Sequence, residues 1–156
     1  MRAPVIFISL IVIALFATIA AALSGDDIND HRSCGYCGMD RKSYGYSRML
    51  VMYEDGKQSG LCSLHCAVTE LNEHKGQKVK SLLVADRDSR KLINAEKAIW
   101  VMGGKKRGVM TQRPKWAFET ASAAEVFVRE NGGTRVSWNE ALAAAQEDAA
   151  PRMKHK

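Results

Sequence analysis

The chain's four cysteines fall into two close pairs, Cys34-Gly-Tyr-Cys37 and Cys62-Ser-Leu-His-Cys66, with 24 residues between them. No other feature restricts the fold as tightly. A turn, a hairpin and a helix start can bring four sulfurs so spaced together, as in small zinc-binding modules. The intervening sequence supplies those parts. Gly35 and Gly38 permit a tight turn around the first pair, and residues 46–53 are rich in β-formers. Glu54-Asp55-Gly56-Lys57 then carries the Asp-Gly signal of a hairpin, with a return strand over 57–61. Ser63 stands where a helix cap is expected, ahead of Leu64, Ala67, Val68 and Leu71 at helical spacing, and Gly76 is the stop. Residues 80–85 read as a further strand.

The second half repeats this order. Residues 98–102 and 115–118 read as strands. Ser122-Ala-Ala-Glu125 reads as a capping box opening a helix that stops at Gly132-Gly133. A short strand over 134–136 precedes a second capping box, Ser137-Trp-Asn-Glu140, and a helix with Trp138, Ala141, Leu142 and Ala145 on one face. Sliding the sequence by 57 positions superposes Leu61 on Phe118, Ala67 on Ala124, Leu71 on Val128, Glu73 on Glu130, Gly76 on Gly133 and Val79 on Val136 without a gap. We therefore expect an α+β protein of two related ββαβ units. Cys62 meets Glu119 and Cys66 meets Ala123, so only the first unit carries thiols, and the second is expected to wall or cover the site.

What the thiols can mean depends on the compartment. No charged residue occurs between Ala3 and Gly25; Arg2 precedes the run, and small residues at Ala20-Ala21-Ala22 suit a signal peptide cleaved after Ala22 or Ser24. The run is also long enough to stay as a membrane anchor. Either way residues 26–156 are expected outside the cytosol, periplasmic or anchored facing the periplasm, where thiols tend toward disulfides unless a metal or partner protects them. Resulting divisions are a signal peptide or anchor (1–24), a polar linker (25–33), a cysteine-rich ββαβ unit (34–97), a second ββαβ-like unit with a C-terminal helix (98–150) and a basic tail (151–156). Setting aside Arg2 and the tail's Arg152, Lys154 and Lys156, the net charge of +6 falls to +2, too little for a nucleic-acid surface.

Several readings of the four thiols remain open: two structural disulfides, a redox pair, a structural Zn(II) site, or a soft transferable metal, chiefly Cu(I), which prefers thiolate and thioether ligands. A helix start lowers a nearby thiol's pKa and favours the metal-binding thiolate, with Cys66 gaining most. Candidate ligands are Cys34, Cys37, Cys62 and Cys66, with Met39 two residues past Cys37, His65 within the second pair, and Met110 after a glycine-rich basic loop, Gly103-Gly-Lys-Lys-Arg-Gly-Val. Met49, Met52 and Met102 are expected to fill core, as are Trp100, Trp116, Phe118 and Phe127; His31, His74 and His155 are expected in solvent. No glycine-flanked nucleophilic serine, phosphate-cradling loop or His-Glu-x-x-His helix is present, so nothing argues for an enzyme.

Cys34-Gly-Tyr-Cys-Gly-Met39 near an exported N-terminus, followed by Cys62-Ser-Leu-His-Cys66, resembles the NosL family of nitrous-oxide-reductase accessory proteins. Trp100-Val-Met-Gly-Gly104, Gly108-Val-Met110, Ala117-Phe118, Gly132-Gly133 and Ser137-Trp-Asn-Glu-Ala-Leu142 look like that family's C-terminal pattern. The resemblance spans about residues 34–143. It implies paired ββαβ units akin to an organomercury-lyase-like fold, periplasmic Cu(I) binding, and copper delivery to a reductase. Partners would be a client metalloenzyme or a copper donor protein. Cys37 and Met39 match the family's Cys-Gly-Met element, and Met110 its later methionine. Two departures stand out: the lipid-attachment cysteine common in the family is missing, and Cys62-x3-Cys66 is closer to heavy-metal-handling domains of the TRASH type.

Overall fold

The computed structural model describes residues 26–150; the apolar N-terminal run and the basic tail lie outside them. A helical turn, α1 (Asp27–Asp30), precedes two hairpin–helix–strand units. The first comprises β1 (Met49–Tyr53), β2 (Gln58–Leu61), α2 (Leu64–Glu73) and β3 (Val79–Ala85), extended by β4 (Leu92–Asn94). The second comprises β5 (Ile99–Met102), β6 (Lys115–Phe118), α3 (Ala121–Asn131) and β7 (Thr134–Val136), followed by α4 (Trp138–Ala149).

Both sheets are antiparallel and share one order, β2-β1-β3-β4 and β6-β5-β7, with the first hairpin strand central in each. β2 and β6 begin and end 57 positions apart, and so do the starts of α2 and α3, matching the offset read from the sequence. The expected fold class, α+β with two related ββαβ units and the cysteines on the first, is what the chain adopts.

The hairpin turns at Gly56, whose φ of +87° suits a residue without a side chain. Met49, Val51 and Tyr53 alternate inward along β1 and meet Leu64, Ala67 and Val68 of α2. The same apolar cluster takes in Trp100, Ala117, Ala141 and Ala145 from the second unit, so the two sheets share a core closed by α4 against α2. Trp116, Phe118 and Phe127 pack in a smaller cluster with Val101 and Ala124. Among the described residues no helix is long and apolar enough to cross a membrane.

Three local expectations are revised. α3 is capped by Thr120, which accepts from the Ala123 amide, rather than by a box opening at Ser122. Ser63 occupies the cap position of α2, but its side chain makes no capping bond. Residues 26–33, expected as a polar linker, carry α1. Asp27 is buried there, its carboxylate paired with Arg41 (2.7 Å) and Arg48 (2.8 Å). Arg41 is wholly buried, and it also donates to the carbonyls of Leu61, Asp27, His31 and Met49. This knot fastens the entry segment to β1 and β2, directly behind the cysteine turn.

Candidate metal centre

Residues 34–39 form a closed turn. The Cys34 amide donates to the Met39 carbonyl (2.8 Å), the Gly38 amide donates to the Cys34 carbonyl (2.9 Å), and Gly38 takes a φ of +76°. The Gly35 amide then bonds the Gly60 carbonyl (2.9 Å), stitching the turn to the end of β2. Gly60 has no room for a side chain, because His31 and the Arg41 guanidinium lie against it. Cys62 follows β2 immediately, its carbonyl held by the Ser47 hydroxyl (2.8 Å), and Cys66 sits in the first turn of α2.

These constraints bring all four sulfurs within 4.8 Å of one another. Cys37 lies 3.5 Å from Cys62, Cys62 lies 3.6 Å from Cys66, and Cys66 lies 3.7 Å from Cys37. A tetrahedron of thiolates around one ion with metal–sulfur bonds of about 2.3 Å has edges of about 3.8 Å, so the triangle is close to metal-binding dimensions. No disulfide is formed. Four soft donors at this spacing fit a thiophilic ion and suit calcium or magnesium poorly.

Charge is distributed unequally over the cluster. Hydrogen bonds from Cys62 and Cys66 hold the Cys34 thiol far below its ordinary range, aided by the backbone amides of Cys37 and Cys62 and opposed by burial. Its neighbours move the other way. The hydrogen bond to Cys34 is the largest cause pushing the Cys62 thiol up to about 12, and it raises Cys66 too, with Cys62 and burial adding to the effect. Cys66, the thiol expected to gain most from the helix start, is thus raised rather than lowered, because its sulfur neighbours and burial outweigh the helix end. Metal binding must displace the protons that such raised thiols hold.

Of the remaining candidates, Met39 is half-buried and packs on the apolar cluster that contains Cys34, Cys62 and Cys66. His65 stands one residue before Cys66 in the first turn of α2. Its ring meets Tyr36 edge-on, with centroids 6.5 Å apart, and its Nδ1 is buried without a hydrogen-bond partner. Burial lowers its pKa, Asp148 opposing and Lys115 assisting. Beside it runs an open groove whose walls include Met110, Arg113, Glu147 and Asp148. Met110 is 42% exposed and has a φ of +57°. The structure therefore gathers the four cysteines, while His65 and Met110 share a groove wall.

The second unit packs into the apolar cluster that contains Cys34, Cys62 and Cys66. Trp100, Val109, Lys115 and Ala117 enclose a cavity of about 20 Å³ with Ser63 and His65. Sequence reasoning missed Ser47 and Arg41, which hold the backbone at Cys62 and Leu61 and so position the centre. The isolated glycine at Gly60, where a strand side chain would be expected, is the signal that something approaches closely there.

The NosL family model matches residues 26–145. Among solved structures, the chain is similar to the crystal structure of the copper chaperone NosL from Shewanella denitrificans, with 23% identity and a TM-score of 0.59. The match covers 75% of this chain and 94% of that one. A search of curated proteins found no match.

Proposed function

This chain belongs to the NosL family, and on that premise we propose that it is an exported carrier of Cu(I). It would take the ion from a copper donor protein and pass it to a client metalloenzyme whose copper centre is being assembled. The observation carrying this reading is the four-sulfur cluster, within 4.8 Å and free of disulfides. Cu(I) favours two or three soft ligands, and this centre offers four thiols, with the Met39 thioether packed alongside. The solved relative is a copper chaperone, which agrees with that choice of metal. The uncharged run from Ala3 to Gly25 supports export, and a bound ion would protect the thiols from oxidation there. No catalysis is assigned; the chemistry is ligand exchange.

A second reading has its own support. A buried, near-tetrahedral set of cysteines is also what a structural Zn(II) ion takes. Anaerobic titration of the reduced protein with Cu(I), against a chromogenic chelator and in the presence of equimolar Zn(II), separates the two. We expect about one Cu(I) per chain with Zn(II) displaced. Retention of Zn(II) under excess Cu(I) would favour the structural reading. Unchanged Cu(I) binding by Cys37→Ser combined with Cys66→Ser would end any cysteine-centred model. For location, a reporter active only in the cytosol, fused after Lys156, should stay silent.

A further inference from the structure

The four sulfurs are not equivalent in access. Cys34 is 3% exposed and Cys62 and Cys66 are fully enclosed, whereas Cys37 is half-buried. The three enclosed cysteines are also fixed by regular structure or close backbone bonding. Cys62 continues from β2, Cys66 is within α2, and Cys34 is bonded through its amide and carbonyl to Met39 and Gly38. Cys37 instead sits at the outer corner of the turn, beside Gly38, whose α-carbon has no neighbour within 4 Å on its side-chain face. Next to it stands Tyr36, 43% exposed, against the ring of His65.

We infer that metal enters and leaves this centre at Cys37, past a rim made by Tyr36 and His65, while Cys34, Cys62 and Cys66 form the retaining floor. This rests on the carrier reading above. Because Cu(I) is satisfied by two or three ligands, one of four sulfurs can be released without abandoning the ion. In the exchange, an incoming soft donor, a thiolate or thioether of the recipient, forms its bond to Cu(I) as the Cys37–Cu(I) bond breaks. The Cys37 thiolate keeps its electron pair and takes a proton from solvent, and the metal's oxidation state is unchanged. The enclosed sulfurs then yield in turn to the recipient's further ligands. A recipient must therefore present its first ligand on a protrusion narrow enough to reach the Tyr36–His65 rim.

Two measurements on the full reduced chain test this. The first is a brief pulse of iodoacetamide, with peptide mapping, on metal-free and Cu(I)-loaded protein. Cys37 should be modified about tenfold faster than any other cysteine in both states. Faster labelling of Cys34, or equal labelling of all four, would overturn the assignment. The second follows Cu(I) transfer to a chromogenic chelator by stopped flow. Its rate should rise linearly with chelator concentration. Tyr36→Ala should raise that slope about threefold or more at unchanged affinity, and Tyr36→Phe should leave it alone. A rate independent of chelator, or a slope that ignores Tyr36→Ala, would sink the route. Failure to take up Cu(I) at all would instead sink the carrier reading.

Discussion

Exchanging Asp27 for asparagine would leave two buried guanidinium groups facing an uncharged amide. The carboxylate accepts from Arg41 at 2.7 Å and from Arg48 at 2.8 and 2.9 Å, and the Arg41 side chain is 0% exposed. Four backbone carbonyls still receive Arg41, so its hydrogen bonds survive in part, but nothing else named in this knot offsets the two positive charges. Breaking a buried pair in this way costs about 3–5 kcal/mol. For a body of this size that corresponds to a fall of about 10–20 °C in melting midpoint. Acid gives a second signature. Burial raises the Asp27 pKa, yet the hydrogen bonds and charges of Arg48 and Arg41 prevail and hold it below the ordinary 3.8. Its contribution is therefore complete above that value and is lost as pH falls below it through the folded pKa. Urea unfolding of reduced, metal-free protein, followed by tryptophan fluorescence, should show Asp27→Asn far below wild type at pH 7. The gap should narrow toward pH 3, and Asp30→Asn in the same helix serves as the exposed reference. A gap under about 1 kcal/mol at pH 7, or one that persists unchanged in acid, would refute the argument.

Asp148→Asn should destabilise the chain by about 3 kcal/mol in the same urea assay, because Lys115 is 4% exposed and loses its 2.7 Å partner. Burial of Asp148 is outweighed by hydrogen bonds from Lys115 and Thr111, which hold its pKa at about 2, so this contribution should vanish as pH falls from about 4 through about 2. If Met110 lends its thioether to Cu(I), Met110→Ala should weaken Cu(I) binding about tenfold, roughly 1.4 kcal/mol, and leave the metal-free melting curve unchanged. Unchanged affinity would remove Met110 from the metal's path. Placing thiols in the second unit with Glu119→Cys and Ala123→Cys should not create a second tight Cu(I) site in a chelator competition, because that unit lacks a cysteine turn to face them.

Much of the fold was legible because it rests on short-range signals. Asp55-Gly56 set the first hairpin, Ser137 with Glu140 forms the capping box expected of α4, and the 57-residue offset aligned β2 with β6 and α2 with α3. The site was legible at the level of its sulfurs, since spacing x2 and x3 around a hairpin leaves few ways to arrange them. What escaped was set by long-range contacts. Asp27, Arg41 and Arg48 look like surface charges by type, and only their mutual pairing makes burial tolerable. β4 pairs with β3 through three residues of unremarkable propensity, a partner chosen by tertiary position. The contact of the His65 ring with Tyr36 is likewise a tertiary one, which a ligand-like spacing cannot reveal.

The two units also show why a shared scaffold serves metal on one side only. In each, a strand end and a helix start place two side chains four residues apart, Cys62 with Cys66 and Glu119 with Ala123. In the second unit, the Thr120 hydroxyl caps the helix by accepting from the Ala123 amide at 3.3 Å, and the Asp86 carboxylate accepts from the Glu119 amide at 2.9 Å. The Ala123 amide of that helix start, and the Glu119 amide just ahead of the cap, are thus committed to oxygen acceptors, which stabilises the end. In the first unit, Ser63 makes no such cap, so the positive end of α2 stays uncompensated beside Cys62 and Cys66. An uncapped helix is a poor choice for stability, costing about 1 kcal/mol against a good cap. It is a good choice for a site that must hold several thiolates together once metal has displaced their protons. The missing cap, as much as the presence of sulfur, separates the metal-holding copy from its structural twin.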